Sequence, residues 1–178
     1  MTLSELKNEA DNGNINAMYQ YANKAVKNKR KEDRKEAAKY YKMAADLGHT
    51  NSMANYADLK SKYDDDLDLE EALCYYKMSS DDGKIYSTLR CGDILFETVA
   101  TNESKQEAIK YYLKAVEEGS PCAMQRIANI YLRGEGVPID KKEAFRYYKM
   151  AVDKDYDRAI SSYAFMLETG DGCEANGE

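Results

Sequence analysis

The chain has 178 residues, of which 43% are apolar and 33% charged, and its net charge is −6. That length allows one domain with a real core, and the acidic balance argues against broad nucleic-acid binding. No apolar run approaches the roughly 20 residues of a membrane helix, and the N-terminal "MTLSELKNEADNG" lacks a signal-peptide core, so a cytoplasmic protein is expected.

In chain order, Gly13 precedes a helical pattern, "NINAMYQYANKAV", and then a charged stretch from Lys27, "KNKRKEDRKE", that reads as a solvated linker. "EAAKYYKMA" follows from Glu36 and closes on Gly48, and "TNSMANYADLKSK" follows that glycine. The acidic "YDDDLDLEE" from Tyr63 lacks the alternating ligands and central glycine of an EF-hand loop. Asp68 is read instead as a helix cap. "EALCYYKMS" from Glu71, Gly83 and "KIYSTLRCGDILF" repeat the pattern, as do "EAIKYYLKA" from Glu107, Gly119 and "SPCAMQRIANIYL", where Pro121 suits a helix start. "RGEGVPID" then carries Gly134 and Gly136 after a helix and without the P-loop lysine, which fits a chain reversal. "EAFRYYKMA" from Glu143, Asp155 in the glycine position and "DRAISSYAFML" complete the series.

The phrase recurs at spacings of 35, 36 and 36 residues, the signature of stacked repeats. Small residues recur in the helices that follow the turns, at Ala17, Ser52, Ser87, Ala123 and Ala159, and again at Ala22, Ala57, Gly92, Ala128 and Ala164. Such columns let helices approach closely. The expected fold is all-α: about ten helices in antiparallel pairs forming a right-handed, tetratricopeptide-like α-solenoid superhelix. One array of about five units over residues 1–178 is expected, turning near Gly13, Gly48, Gly83, Gly119 and Asp155, with the last unit incomplete. In each "YY" the second tyrosine (Tyr41, Tyr76, Tyr112, Tyr148) is expected to pack within its own unit and the first to point toward the next unit.

The stretch from Cys122 to Asp155, "CAMQRIANIYLRGEGVPIDKKEAFRYYKMAVDKD", resembles the Sel-one-like repeat family in its small-residue helix, glycine turn and "A-x-x-Y-Y-x-x-A" helix. The weaker copies extend the resemblance over nearly the whole chain. It implies a superhelical, non-enzymatic scaffold that binds proteins.

Catalysis has little to stand on, because no nucleophile–base–orienter set is present and the single histidine, His49, follows a helix-ending glycine, where it reads as a cap. The four cysteines, Cys74, Cys91, Cys122 and Cys173, include no C-x-x-C pair. They read as reduced thiols, with a disulfide left open and no metal or cofactor expected. The candidate site is a column ten residues after each turn: Asn23, Asp58, Asp93, Asn129 and finally Phe165. By analogy with tetratricopeptide solenoids it would line the concave face, with Tyr19 and Gln125 from the column four residues earlier. An Asn/Asp ladder can bond an extended peptide, and its acidic members would favour a basic one. A ladder that only joins repeats is the alternative. Ile160, Tyr163, Met166 and Leu167 of the final helix would lie near an open end, which leads to a second expectation: a longer array, or a homo-oligomer formed through that helix.

Overall fold

The computed structural model describes residues 1–28, 30–63, 67–99 and 101–173. These form ten α-helices: α1 (Leu3–Asp11), α2 (Ile15–Ala25), α3 (Lys31–Asp46), α4 (Thr50–Lys62), α5 (Leu69–Asp81), α6 (Ile85–Asp93), α7 (Asn102–Glu117), α8 (Pro121–Arg133), α9 (Lys141–Val152) and α10 (Asp157–Thr169). No strand occurs among the described residues, and α6 continues as a π-helical turn over Ile94–Val99. No described helix is long and apolar enough to cross a membrane.

The turn chemistry sets the period. Gly13, Gly48, Gly83 and Gly119 each sit at positive φ, between 84° and 90°, immediately after a helix. An L side chain is disfavoured there, and glycine is not. Asp155 takes the fifth turn at φ 57°, as the non-glycine residue that holds this conformation among the described residues. At three of the five turns the residue after the turn then caps the next helix. The side chains of Asn14, His49 and Ser120 accept from the backbone N–H three residues on, which satisfies one of the helix's orphan donors. Asp68 caps α5 in the same way. Lys31–Glu36, read from the sequence as linker, form the first turns of α3, where Glu32 and Asp33 suit the positive end of the helix dipole. Residues 64–66 of the acidic stretch and Lys29 of the basic one lie outside the described residues.

The chain divides into two compact units, residues 1–87 and 88–178, each treated separately below. In the first, α1 packs on α2, α2 on α3, α3 on α4 and α4 on α5; in the second, α7 packs on α8, α8 on α9 and α9 on α10. The small columns lie in these seams. Ala17, Ser52, Ser87, Ala123 and Ala159 are all at most 3% exposed, and Ala22, Ala57 and Ala128 are fully buried. Ala164, on the last helix, is exposed. At Gly92 even a methyl group is too much, because a Cβ would lie 2.5 Å from the Tyr112 ring. No disulfide joins the four cysteines.

The two tyrosines of each phrase have separate duties. Tyr41, Tyr76, Tyr112 and Tyr148 are at most 2% exposed and pack against the small-residue helix of their own repeat, as expected. At Tyr40 and Tyr75 the first tyrosine reaches backward rather than toward the next unit. The Tyr40 hydroxyl donates to Asp11 at 2.5 Å, and that of Tyr75 donates to Asp46 at 2.5 Å. The reason is geometric: the carboxylate at the end of the preceding phrase helix comes within reach of the buried ring's hydroxyl, and a buried hydroxyl needs a partner.

Candidate functional site

The ladder positions sit on α2, α4, α6 and α8, and the helix that follows each supplies a tyrosine hydroxyl to them. Tyr41 donates to Asn23, Tyr76 to Asp58, Tyr112 to Asp93 and Tyr148 to Asn129, at 2.5–2.9 Å. Burial pushes the Tyr41 hydroxyl up to about 12. Burial raises Tyr148 as well, and Tyr112 is raised by burial and then by the charge of Asp93. These hydroxyls therefore stay protonated and act as donors at neutral pH. Part of the ladder's role is internal, since it gives each buried tyrosine an acceptor.

The rungs differ in what remains available. Asp93 is 6% exposed. Besides Tyr112, its carboxylate takes Arg90 Nη1 at 3.0 Å and Arg126 Nη2 at 3.2 Å. Burial works to lower the pKa of Arg126, and the Asp93 charge together with Tyr112 and Cys122 outweighs it and holds the group above its ordinary value. Asp58 is half-buried, and its Oδ1 takes the Tyr76 and Tyr86 hydroxyls and Lys62 Nζ at 2.5, 2.6 and 2.9 Å. Asn23 Oδ1 receives Asn55 Nδ2 at 3.3 Å in addition to Tyr41. Phe165, which replaces the polar rung on α10, is 60% exposed.

Two pockets of about 290 Å³ open at this level, one in each unit. The first is lined by Asn23, Val26, Tyr41, Asn55, Asp58, Leu59, Lys62 and Tyr63. The second is lined by Phe96, Glu97, Tyr112, Arg126, Asn129, Ile130, Arg133 and Glu135. They occupy the same repeat register. Counted from Gly48 and from Gly119, position seven gives Asn55 and Arg126, and position ten gives Asp58 and Asn129. Position eleven gives Leu59 and Ile130, and position fourteen gives Lys62 and Arg133. The preceding unit adds position thirteen from its own glycine, Val26 or Phe96, and the second tyrosine, Tyr41 or Tyr112, joins the lining. Each pocket thus combines apolar walls with polar groups.

Sel1 repeat sequence models match residues 15–49, 99–120 and 123–156, just over half of the chain. The chain belongs to the Sel1 repeat family. Its fold is also that of two solved relatives. One is a protective antigen of uropathogenic Escherichia coli strains displaying an SLR fold, with TM-score 0.82 and 21% identity over 98% of this chain and 38% of that one. The other is a Sel1 repeat protein from Oxalobacter formigenes, with TM-score 0.79 and 23% identity over 90% of this chain and 67% of that one. The chain therefore spans well under half the length of the E. coli antigen. No curated protein matches the sequence.

Within this Sel1 array, three of the six residues singled out from sequence, Asn23, Asp58 and Asn129, line the pockets. Asp93 lies beneath the second one, bonded to Tyr112 and Arg126 of its lining. Tyr19 packs its ring 4.7 Å from that of His49 and 6.2 Å from that of Tyr41. Gln125 donates to the Arg158 carbonyl at 2.8 Å, tying α8 to α10. Neither Tyr19 nor Gln125 lines either of these two pockets. The position-seven column, with Asn55 and Arg126, escaped the sequence reading. Its signal was present, since it is polar in all five units: Gln20, Asn55, Arg90, Arg126 and Ser162.

Proposed function

We propose that the chain is one array of about five Sel1 repeats and a non-catalytic scaffold, binding extended peptide segments of a partner protein at a pocket in each unit, lined by Asn23 and Asp58 in the first and by Asn129 in the second. The coarser part rests on the family, whose members generally act as protein-interaction scaffolds. The observation that carries the finer part is the recurrence of one pocket design in the same register of two repeats. A pocket of one design in each unit can take the same kind of group from an extended peptide. Asp93 supports the second pocket from beneath, and the rung carboxylates already hold internal cations and hydroxyls. A preference for basic partners therefore rests on Asp58 more than on Asp93.

The test is selection of peptides from a random nine-residue display library on the wild-type chain. Their affinity is then measured for Asn23→Ala and Asn129→Ala, with helicity checked by circular dichroism. At least one substitution should weaken binding tenfold with helicity intact. Unchanged binding in both would reject the pockets. A second reading, association through α10, is favoured by its exposed Ile160, Phe165 and Leu167, at 47%, 60% and 48%. Met166, by contrast, is 1% exposed, and Tyr163 packs 5.0 Å from Phe145. A sedimentation mass that stays monomeric up to high concentration would sink this second reading.

A further inference from the structure

All four rungs meet one internal demand, an oxygen atom for the buried tyrosine of their repeat. Aspartate and asparagine satisfy that demand equally well. They differ in the second atom at the end of the side chain, the one turned away from the tyrosine. At Asn129 the Tyr148 hydroxyl occupies Oδ1, so the amide is held with Nδ2 on its other side. At Asn23 the hydroxyl of Tyr41 and Nδ2 of Asn55 both point at Oδ1, which fixes the same orientation twice over. Among the described residues, neither Nδ2 donates to a protein acceptor. Both asparagines are half-buried and line a pocket, where water is the competitor for an unused donor. Asp58 has the opposite polarity. Its Oδ1 is occupied by Tyr76, Tyr86 and Lys62, and its second oxygen can only accept.

We propose that the buried tyrosines set the hydrogen-bond polarity of the peptide-binding pocket in each unit: Asn23 in the first and Asn129 in the second act as donors, each selecting a main-chain carbonyl of an extended partner segment, and Asp58 in the first acts as an acceptor for an N–H group. This rests on the peptide-binding reading above and adds the chemistry of recognition. An extended chain carries both kinds of group, and a donor rung cannot be replaced by an acceptor without setting oxygen against oxygen. Tyr148, at 1% exposure, cannot touch a ligand and acts as a positioning residue.

The probe is a nine-residue peptide selected on the wild-type chain, with affinity read by isothermal titration. Asn129→Asp keeps the acceptor that Tyr148 needs, so the variant should fold with unchanged helicity and bind at least tenfold more weakly. Tyr148→Phe, which frees the amide to turn, should weaken binding threefold or more at unchanged helicity. A thioamide at one bond of the peptide, a poorer acceptor, should weaken binding about fivefold, whereas alanine in place of its acidic residues should change it less than twofold. If Asn129→Ala weakens binding but Asn129→Asp does not, the polarity is overturned while the peptide-binding reading stands. If acidic side chains matter and the thioamide does not, the ligand group is a carboxylate and the main-chain assignment falls. If no peptide responds to any rung, both readings fall together.

Discussion

In residues 1–87 the joint between successive repeats is made twice by the same five side chains, and in residues 88–178 it is made differently. The first copy joins Lys7 to Glu36, sets Tyr21 edge-on to Tyr40 at 4.7 Å, and lets Tyr40 donate to Asp11. The second joins Lys42 to Glu71 at 3.0 Å, sets Tyr56 edge-on to Tyr75 at 4.8 Å, and lets Tyr75 donate to Asp46. At the register-equivalent positions of the second unit stand Leu113 for the lysine and Ile127 for the edge-on tyrosine. Without that lysine, Glu143 pairs with Arg146 at 2.7 Å, and Arg146 lies 4.2 Å over the Tyr147 ring. Tyr147 stacks on Tyr131 at 6.0 Å. The charges of the second unit are gathered instead around one buried carboxylate, Asp93, held by Arg90, Arg126 and Tyr112. The first unit spreads its polar interactions over half-exposed copies, each worth little. The second concentrates them where the loss of one partner strands the others.

That contrast should show most strongly at Asp93. Asp93→Leu leaves two guanidinium groups and a buried hydroxyl without their acceptor, and the expected loss is about 3 kcal/mol, the low end for a broken buried pair because both arginines retain some solvent contact. Asp58→Leu removes the equivalent rung from a half-exposed position and should cost about 1 kcal/mol. Urea unfolding followed by tyrosine fluorescence measures both, and equal costs would break the comparison. Gly92→Ala should come next, at about 1–3 kcal/mol, because the new methyl meets the Tyr112 ring at 2.5–2.9 Å. Combined with Tyr112→Leu, the alanine should cost less than it does alone. Strict additivity would show that the clash is relieved elsewhere. Smaller again is the repeated joint. Lys42 holds a raised pKa through its hydrogen bond to Tyr75 and then its contact with Glu71. Even so, a double-mutant cycle on Lys42→Met and Glu71→Gln should give less than about 1 kcal/mol, falling with added salt.

The fold was legible because the period is written in residues with one steric role. Positive-φ turns take glycine, and seams take alanine, serine or glycine, so counting from Gly48 or Gly119 recovers the helices without knowledge of the packing. The ladder was legible as a column, and three of its members line pockets. Burial was legible only in part: Arg90, three residues before Asp93, stands where Asn55 precedes Asp58, whereas Arg126 reaches Asp93 from another helix. The direction of the first tyrosine was missed for a related reason. Helical periodicity gives a side chain's angle on its own helix, whereas its partner, Asp11 or Asp46, lies on the preceding phrase helix. The π-helical turn at Ile94–Val99 has no glycine or proline to announce it.

The smallest effect separates the units by pH. His49 caps α4 with Nδ1, accepting from the Ser52 N–H at 3.2 Å, whereas Ser120 performs the same task for α8 with a group that does not titrate in this range. Burial of the ring holds the His49 pKa below its ordinary 6.5. The folded chain therefore binds this proton less readily than the unfolded chain, so the stabilisation is fully present above pH 6.5 and is lost as pH falls through the lower folded value. Protonation also converts Nδ1 from acceptor to donor, which ends the cap. The expected loss is a fraction of the about 1 kcal/mol that removing an N-cap costs. It should appear between pH 7 and pH 5 as a fall in the urea midpoint of residues 1–87 relative to His49→Asn, the residue type that caps α2 at Asn14. Parallel pH curves for the two proteins would show that the cap survives protonation, and would remove histidine chemistry from the list of differences between the two units.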